Sequence, residues 1–528
     1  MTKRVCCMLL AAACMQAHAT PESEQIRARV ELLQREVPAT AAGSAIGLNA
    51  AVAGFYGPRG YEPAWSDPAR RHELAVALAG LVLDGLDPDD YAVSAVEHPA
   101  AGDDPAGRAA ADVLATRSYL LALAHLFRGK VDPRTLYPVW NVQPRQADPV
   151  AGLGIAAQAA YSGRIADAFD RARPQHPVYG ALRTALAGLR EVADRGGWPQ
   201  IADGPTLRPG DRDTRVAVLR QRLAIGGYLP KDTPETGSYD DILQAAVRQF
   251  QAEQYLDADG NVGRATRAAL NVTVQARIDQ LRVNLERARW LLQEISGDFV
   301  LVDIAGFRVR YFTGAHAVWT SRIQVGRSLR PTPMFKSQIS QITFNPTWTV
   351  PPTIFTKDVL PKVRGDLHYL AKNHIRAFDP GGRELAPELI DWTDPHGIKL
   401  RQDAGKDNSL GRVAFRFPNP FSVYLHETPH KELFAYGQRA FSSGCIRVED
   451  PFELARLLLA DPERWNRAAV DRVVAEGKTI DVPLPRPVTI LLAYWTVDLH
   501  ADGRASFKPD MYGYDPQILR ALEDKTQR

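Results

Sequence analysis

The stretch FSVYLHETPHKELFAYGQRAFSSGCIRVED, residues 421–450, joins a strand-like run that ends at His426 to a cysteine, Cys445, that follows the triplet SSG. A thiol attacks as a thiolate, and a neighbouring imidazole is the usual group that removes its proton. A glycine directly before a nucleophile lets a backbone N–H come close to a developing oxyanion. The stretch therefore predicts a catalytic cysteine beside β-structure, with the histidine as its base.

The cysteine usage of the chain supports this interpretation. Of its four cysteines, Cys6, Cys7 and Cys14 lie at the extreme N-terminus. If that terminus is removed, Cys445 is a single thiol with no partner for an intramolecular disulfide, as expected of a candidate nucleophile. A lone cysteine can equally be a small buried apolar residue. The SSGCIR setting and the preceding YLH favour the catalytic alternative.

The segment SSGCIR, preceded by YLHETP, resembles the active-site signature of the L,D-transpeptidases, the peptidoglycan cross-linking enzymes of the YkuD type. It is most similar to their large, multidomain Gram-negative periplasmic branch. The general signature often has histidine where this chain has Ser443, and the large branch typically carries serine there. The resemblance implies a multidomain α+β fold. Its parts are an N-terminal helical scaffold, a three-helix peptidoglycan-binding module, and a mostly-β YkuD-type catalytic domain with a capping insertion.

The same resemblance implies a reaction. The donor is a tetrapeptide stem of peptidoglycan, and Cys445 attacks the carbonyl of its third residue, usually meso-diaminopimelate, and expels D-Ala. The side-chain amine of a second, diaminopimelate-containing stem then opens the thioacyl enzyme and forms a 3→3 cross-link. His426 takes the thiol proton and later deprotonates the acceptor amine. A close imidazolium or donor amides suffice to depress the pKa of a thiol from ~8.5, so no metal or other cofactor is expected.

Neighbouring residues receive roles on the same basis. The backbone N–H groups of Gly444, Cys445 and Ser443 form the oxyanion site, where losing one donor typically costs roughly 3 kcal/mol in the barrier. Arg447 either holds a stem carboxylate, which suits an arginine fork, or orders the loop. Tyr424 is either a hydroxyl donor near the thiol or, by alternation along the strand, a core residue.

Three more residues of the stretch are assigned from their position alone. Ser442 is expected to hydrogen-bond within the loop, and His430, past the end of the strand, to lie on a loop surface. Either Glu427 or a backbone carbonyl orients His426, and the sequence leaves both open.

Length and composition bound the remaining possibilities. A chain of 528 residues is too long for one compact core, so roughly two to four domains are expected. Its 45% hydrophobic and 24% charged residues are ordinary for a globular protein without membrane spans. Removing Lys3 and Arg4 with a cleaved N-terminus leaves 62 of the 64 basic residues against 61 acidic ones, so the net charge falls from +3 to +1. This balance gives no electrostatic reason to expect nucleic acid or an anionic membrane as a partner.

Residues 1–19 are predicted to be a secretory signal. Two basic residues precede an apolar centre at Val5–Met15, and Ala17-His18-Ala19 is an A-x-A cleavage site. Lipoprotein cleavage before Cys14 is a weaker alternative, because Ala11 stands where leucine is expected. No later run reaches the ~18 apolar residues that span a bilayer, so the expected location is the periplasm.

Residues 20–205 are predicted to form the helical scaffold domain. Alanine and leucine recur there at helical spacing, and Gly and Pro in GLDPDDY at 85–91 end one helix before Asp begins another. The domain's chemistry is not legible, and its histidines show no metal-ligand spacing. These histidines are His72, His98, His125 and His176.

Residues 210–272 are predicted to be the peptidoglycan-binding module. Three short helical patterns are separated by the Gly226-Gly227 stop and by the turn DADGNVG. The positions that carry the resemblance are mostly core or turn positions, so contact with glycan is not assigned to any one of them. They are Leu219, Leu223, Gly227, Tyr228, Ala246, Val247, Phe250, Gln251, Asp259, Gly260, Val262, Gly263, Thr266 and Leu270.

A linker helix is predicted over residues 273–297, with an apolar seam along Val274–Ile295 that either packs within the protein or forms a coiled coil. The apolar period then switches to two, and FVLVDI-AG-FRVRYF predicts a hairpin that opens the catalytic domain, residues 298–481. Further β runs are expected at 321–325, 338–344, 413–417 and 422–426. The capping insertion is expected over residues 353–412 as helical and then loop-rich chain, and residues 482–528 as a closing hairpin and helix.

Two other reactions of the same intermediate remain open: hydrolysis, as in an L,D-carboxypeptidase, and transfer of a stem to an outer-membrane lipoprotein. A third alternative is a non-catalytic wall-binding scaffold. Cell-wall synthases are possible partners, and a carbapenem is the expected covalent probe of Cys445.

Overall fold

The computed structural model describes residues 20–35, 44–100, 104–137, 140, 142–146, 148–230, 233, 237–292, 295, 297–314 and 316–525. The predicted signal segment 1–19 lies outside these residues. The chain divides into two compact units, the first comprising residues 1–130, 146–173 and 525–528 and the second residues 131–145 and 174–524. Within the described ranges, no helix combines the length and apolar character that a bilayer-crossing segment needs.

The regular secondary structure in the described residues of the first unit is all helical. Several of its helices begin at an aspartate, such as Asp67 and Asp104, whose side chain accepts a hydrogen bond from a first-turn N–H. The buried carboxylate of Asp112 accepts hydrogen bonds from the Tyr56 hydroxyl and from two backbone N–H groups, which ties three segments together. The α-helices are α1 (Pro21–Arg35), α2 (Ser44–Tyr56), α3 (Pro68–Ala79), α4 (Val93–Glu97), α5 (Pro105–Arg128), α6 (Pro149–Ser162) and α7 (Ile165–Ala172).

The second unit begins its helices with α8 (Pro177–Asp194), which lies inside the predicted domain 20–205. The predicted three-helix module follows as α9 (Thr214–Ile225), α10 (Asp241–Glu253) and α11 (Arg264–Leu270). Its core is a cluster of buried aliphatic and aromatic side chains from all three helices. The buried Gln251 amide binds Asp259 and Thr266 and accepts from the Gly260 N–H, which holds the turn between the second and third helices.

The predicted linker helix is α12 (Val274–Leu291). Within this helix the expected apolar seam is buried at Ile278, Leu281, Leu285 and Ala288, and so are polar residues on its other sides, including Glu286, Arg287 and Arg289. Leu292 and Ile295, at the end of the expected seam, lie beyond the helix and are half-buried. Glu286 is paired with Arg289, and Arg287 with Asp515, so each of these buried charges has a counter-ion within the unit. The burial leaves no free apolar face for the coiled-coil alternative.

The catalytic region contains a sheet that closes on itself. The strands of the unit are β1 (Asp298–Asp303), β2 (Arg308–Thr313), β3 (His316–Gly326), β4 (Phe335–Phe344), β5 (Trp348–Thr349), β6 (Ile375–Phe378), β7 (Glu384–Leu385), β8 (Lys399–Gln402), β9 (Val413–Arg416), β10 (Leu425–His426), β11 (Ala440–Ser442), β12 (Ile446–Val448), β13 (Ile480–Ala493), β14 (Val497–Leu499) and β15 (Ala505–Phe507). The strand order in the closed sheet is β11-β3-β12-β10-β9-β4-β13-β1-β2, and β2 also pairs with β3. This last pairing joins the two ends of the sheet by backbone hydrogen bonds.

The predicted hairpin at the start of this region is confirmed as the antiparallel pair β1–β2. The prediction for the C-terminal run is partly wrong. Residues 488–493 belong to β13, which runs parallel to β1 and antiparallel to β4, and only Val497–Leu499 pairs with Ala505–Phe507 as a hairpin. The apolar run is buried from both sides inside the closed sheet, and this long-range pairing overrides the local hairpin pattern.

The capping insertion is more regular than the loop-rich chain that the sequence suggests. Strands β5, β8, β6 and β7 form a separate four-stranded sheet in that order. Helical turns α13 (Pro352–Ile354), α14 (Leu360–Gly365) and α15 (His368–Lys372), with a π-helical turn at Phe355–Val359, cover its apolar side chains. The insertion therefore has its own small core. The chain ends with α16 (Pro451–Leu459), α17 (Arg467–Ala475) and α18 (Asp515–Glu523).

Candidate active site

Strand register places four predicted site residues on one face of the sheet. Strands β10 and β12 run parallel, with Leu425 opposite Ile446 and His426 opposite Arg447. Side chains alternate between faces along a strand, so Tyr424 and Cys445 share the face of His426 and Arg447. Leu425 and Ile446 point to the other face and are fully buried in the apolar core. Burial of the apolar side chains thus fixes which face carries the polar ones. A shift of the strand pairing by one residue would move the apolar side chains to the site face and the polar side chains into the core.

The strand that carries His426 is shorter than the sequence predicts. Regular pairing is limited to Leu425 and His426, whereas the run Ser422–His426 is expected to be extended. Ser422 has a φ of +55°, a left-handed conformation that a strand cannot contain. The Ser422 carbonyl oxygen lies 3.8 Å from Sγ of the nucleophile candidate, Cys445.

The protein around Cys445 favours the neutral thiol. Burial raises the pKa of the Cys445 thiol, and the N–H of Tyr424 and the charges of Arg447 and Arg416 offset only part of this effect. The thiol donates a long hydrogen bond to the Ser422 carbonyl. In the described part of the chain Cys445 is a free cysteine.

His426 is held by a backbone carbonyl. Its Nδ1 lies 2.5 Å from the Glu427 carbonyl oxygen, which can only accept, so Nδ1 carries the proton and Nε2 keeps the lone pair that the predicted base needs. Burial, followed by the charge of Arg447, lowers the pKa of His426 to about 3. The resting pair is therefore an uncharged thiol and an uncharged imidazole, instead of the thiolate and imidazolium that the sequence suggests.

The side chain of Glu427 has a different partner. Its carboxylate accepts hydrogen bonds from the Arg412 guanidinium and from the Arg412 backbone N–H. Of the two alternatives for orienting His426, the structure thus shows the backbone carbonyl.

The loop before the nucleophile is closed on itself by Ser442. Its hydroxyl donates to the Cys445 carbonyl oxygen at 2.6 Å and accepts from the Gly444 N–H at 3.0 Å. Gly444 has a φ of +118°, which favours glycine at this position. The Gly444 N–H is thus occupied within the loop, whereas the N–H groups of Ser443 and Cys445 have no acceptor among the described residues. Of the three predicted oxyanion donors, therefore, only Ser443 and Cys445 have an N–H available in this conformation.

A buried threonine from another loop supports this turn. The Thr332 hydroxyl accepts from the Gly326 N–H at 2.9 Å and donates to the Gly444 carbonyl oxygen at 2.8 Å. The Tyr512 hydroxyl donates to the Gly326 carbonyl oxygen and accepts from the Thr332 N–H. A Cβ on Gly326 would lie 2.2 Å from the Arg330 carbonyl oxygen, so only glycine fits there. Sequence reasoning missed this support, since Gly326 and Thr332 lie more than 100 positions before Gly444 and Tyr512 lies 68 positions after it.

Arg330 connects the nucleophile loop to the capping insertion. One guanidinium nitrogen donates to the Ser443 hydroxyl at 3.0 Å, and the same group forms an ion pair with Asp358 of the π-helical turn. The exposed side chain of Ser443 thus contacts Arg330, which is paired with the first helical segment of the insertion, residues 353–365, here called the arm. His430, expected on a loop surface, has a 61% exposed side chain.

Two arginines face the same side of the sheet as the thiol. Arg447 lies opposite Gln324 of β3 and donates to its amide oxygen at 3.3 Å. Arg416 of β9 lies with its guanidinium 4.9 Å from the centre of the Tyr424 ring. Tyr424 is therefore a residue of the site face rather than of the apolar core. In the described ranges, no group of three or more His, Cys, Asp or Glu side chains is arranged to hold a metal ion.

Comparison with known proteins agrees with this architecture. Residues 50–186 match the family described as "Scaffold domain", residues 212–270 the "Putative peptidoglycan binding domain", and residues 297–482 the "L,D-transpeptidase catalytic domain". This chain carries an L,D-transpeptidase catalytic domain. With it come a peptidoglycan-binding domain and a helical N-terminal region, and the predicted multidomain α+β fold is confirmed.

Individual relatives share part of the chain. A curated protein of Haemophilus influenzae named "Putative L,D-transpeptidase" is 34% identical over 242 residues, which are 45% of this chain and 48% of that protein. The chain thus matches about half the length of this relative. Solved L,D-transpeptidases from Mycobacterium smegmatis and Stackebrandtia nassauensis align with 14% and 12% identity and TM-scores of 0.18 and 0.22. They cover 38% and 56% of this chain and 59% and 96% of their own.

Proposed function

We propose that this protein is a periplasmic L,D-transpeptidase that forms 3→3 peptidoglycan cross-links through a thioacyl intermediate on Cys445. The observation that carries the proposal is the register of β10 and β12, which sets Cys445, His426, Tyr424 and Arg447 on one face of a sheet. The matches to a catalytic and a peptidoglycan-binding family support the substrate, and they are the reason for placing the protein at the cell wall.

Acylation begins from the uncharged thiol of Cys445 and the uncharged imidazole of His426. As Cys445 Sγ attacks the carbonyl carbon of the third stem residue, Nε2 of His426 accepts the thiol proton. The N–H groups of Cys445 and Ser443 stabilise the oxyanion. When the tetrahedral intermediate collapses, the C–N bond to the terminal residue breaks. The proton on His426 passes to the departing amine, so that D-Ala leaves and a thioester remains.

Neutral reactants suit this sequence of charges. Because burial and the charge of Arg447 lower the pKa of His426, its imidazole is unprotonated at neutral pH, and Nε2 can accept the thiol proton as the sulfur attacks. The imidazolium then forms only while the oxyanion forms beside it, and each charge stabilises the other. In the second step the acceptor amine attacks the thioester, His426 takes a proton from that amine, and the thiol leaves with the proton.

The binding module contributes by proximity. Residues 212–270 match a peptidoglycan-binding family, and they fold as three helices around their own core. A module that holds glycan near the catalytic domain raises the effective concentration of stems there. Cell-wall synthases remain candidate partners under this proposal.

The test is product analysis with the full chain. The protein is incubated with a purified disaccharide-tetrapeptide, and mass spectrometry follows free D-Ala and cross-linked dimer. We expect both, and we expect neither from Cys445→Ala. Release of D-Ala without dimer would replace the transpeptidase by an L,D-carboxypeptidase, and adding a lipoprotein C-terminal peptide as acceptor tests transfer to protein. If the wild-type protein releases no D-Ala under any of these conditions, the proposed activity is refuted and a wall-binding scaffold is left.

A second measurement identifies the nucleophile. We expect a carbapenem to add its mass to the wild-type protein and not to Cys445→Ala. A control substitution on the exposed face of α17, Arg472→Gln, should leave the adduct in place.

A further inference from the structure

Arg416 occupies a defined position two strands from the nucleophile. Strand β9 pairs with β10, with Phe415 opposite Leu425 and Ala414 opposite His426. Continuing this register sets Arg416 opposite Tyr424, and Tyr424 opposite Cys445. Arg416 therefore lies on the site face, and with strands about 4.8 Å apart its Cα is roughly 10 Å from that of Cys445.

The Arg416 guanidinium is held in place but not neutralised. Its Nε donates to the Thr343 hydroxyl at 3.3 Å, and its plane lies near the Tyr424 ring. The Thr343 hydroxyl in turn donates to Asp481. Among the ion pairs of the described residues, none includes Arg416, although the side chain is partly buried.

Arg447 likewise forms no ion pair among the described residues. Its single side-chain hydrogen bond in the described region goes to the neutral amide of Gln324, at 3.3 Å. By contrast, Arg412 and Arg330 of the same domain each have a carboxylate partner. A partly buried guanidinium without a counter-ion retains its fork of donors for an anion that is planar and bidentate.

The charges of both arginines reach the reacting atoms. Burial is the larger effect on both groups: it raises the pKa of the Cys445 thiol and lowers the pKa of His426. The charges of Arg416 and Arg447 lower both pKa values. The two cations and the thiol–imidazole pair therefore share one electrostatic environment.

We propose that Arg416, together with Arg447, binds the terminal carboxylate of the donor stem and so selects donors that end one residue after the attacked carbonyl. The proposal rests on the proposed function. One residue spans about 3.5 Å, so this carboxylate lies within a few ångströms of the sulfur, in reach of an arginine side chain anchored two strands away. A pentapeptide would carry its carboxylate one residue too far, and an amidated stem would carry none.

The experiment compares two donors on four full-length proteins. The donors are the disaccharide-tetrapeptide and the same compound with a C-terminal carboxamide, and the readout is kcat/KM for release of the terminal residue. The proteins are wild type, Arg416→Gln, Arg416→Lys and, as a matched control, Arg472→Gln on the exposed face of α17. Loss of a charge-assisted carboxylate contact is expected to lower kcat/KM for the carboxylate donor by roughly 100-fold in Arg416→Gln, chiefly through KM. The lysine variant should retain part of the effect, and the control should match wild type.

The carboxamide donor decides the interpretation. We expect Arg416→Gln to lower its kcat/KM by about 10-fold less than that of the carboxylate donor, since the carboxamide lacks the recognised group and the loss of positive charge near Cys445 and His426 affects both donors alike. Equal losses for both donors would overturn the proposal and leave Arg416 a purely structural residue, and unchanged kinetics for both would also overturn it. If the wild-type protein turns over neither donor, the proposed function fails. The carboxylate site is then tested by the affinity of Cys445→Ala for the two compounds. Equal affinities would refute it, and loss of a carboxylate preference on adding Arg416→Gln would support it.

Discussion

The replacement Thr332→Val tests whether the nucleophile loop depends on one buried hydroxyl. Thr332 is completely buried, and its Oγ1 accepts from the Gly326 N–H and donates to the Gly444 carbonyl oxygen. Valine keeps the branched shape and removes both hydrogen bonds. The carbonyl that is released belongs to the peptide whose nitrogen is the Cys445 N–H, so the change acts on the proposed oxyanion donor.

The magnitude follows from leaving two buried groups unpaired. Each such group typically costs about 1–3 kcal/mol, and partial relaxation makes ~2–4 kcal/mol a reasonable total. At about 1.4 kcal/mol for each factor of ten, local opening of this loop becomes roughly 30-fold to 800-fold more frequent. Turnover should fall by about 10-fold or more, since losing an oxyanion donor outright costs roughly 100-fold to 1,000-fold.

The assay is amide hydrogen exchange by mass spectrometry, combined with kcat for D-Ala release. Peptides that contain Gly326 and Gly444 should exchange faster in Thr332→Val, while peptides from α10 should not change. Thr332→Ser keeps the hydroxyl and loses the methyl group, so it should stay close to wild type. Thr356→Val removes an exposed hydroxyl whose bond to Pro352 is local, and it serves as the matched control.

Two results would refute this reasoning. Exchange within about 3-fold of wild type in Thr332→Val would show that the hydroxyl does not hold the loop. If the serine variant were as damaged as the valine variant, packing of the methyl group, and not hydrogen bonding, would be responsible.

Three further outcomes are expected. Alkylation of Cys445 by iodoacetamide should rise with pH through an apparent pKa above that of an ordinary thiol, because burial raises it; a reactive plateau below pH 7 would instead show a preformed ion pair with His426. Asp358→Asn removes the carboxylate partner of Arg330, so exchange in residues 353–365 should accelerate roughly 3-fold to 10-fold with little change elsewhere; unchanged exchange would mean that other contacts hold the arm. Gln251→Leu leaves the buried Gly260 N–H of the binding module unpaired and removes the amide donor to the Thr266 hydroxyl, which should destabilise the module by about 1–3 kcal/mol and weaken pull-down on purified peptidoglycan; normal binding would contradict this.

Local patterns predict the elements whose register is local. The hairpin β1–β2 and helices α9 to α11 lie where the apolar period and the turn residues indicate. The two failures in the catalytic region both depend on distant partners. Residues 488–493 join β1 and β4 across more than 140 positions, and the capping strands pair over an interval that contains several glycines and prolines.

The site residues likewise divide into those that the sequence alone indicates and those that depend on distant partners. Cys445 and His426 stand out in the sequence because a thiol and an imidazole are rare and chemically specific. Their common face could not be inferred, since it depends on the parallel register of two very short strands separated by a crossover. No role at the site is predicted for Arg416, Thr332 or Arg330, because each is an ordinary residue in its own segment. They become significant only when the closed sheet places their strands and loops beside the nucleophile.

The electrostatic arrangement suggests that donor binding activates the base. In the free protein the positive charges of Arg447 and Arg416 add to burial in lowering the pKa of His426 to about 3. A carboxylate bound to those guanidiniums cancels much of their charge, so we infer that the pKa of His426 is higher in the donor complex than in the free protein. The profile of kcat/KM against pH reports the free protein, and that of kcat reports the complex. The acidic limb of kcat should therefore lie at higher pH than that of kcat/KM with the tetrapeptide donor, and the two limbs should converge with the carboxamide. If the acidic limbs of kcat and kcat/KM coincided with both donors, the bound carboxylate would not affect the pKa of His426. Departure of D-Ala, which carries that carboxylate away, would then leave the pKa of the base unchanged.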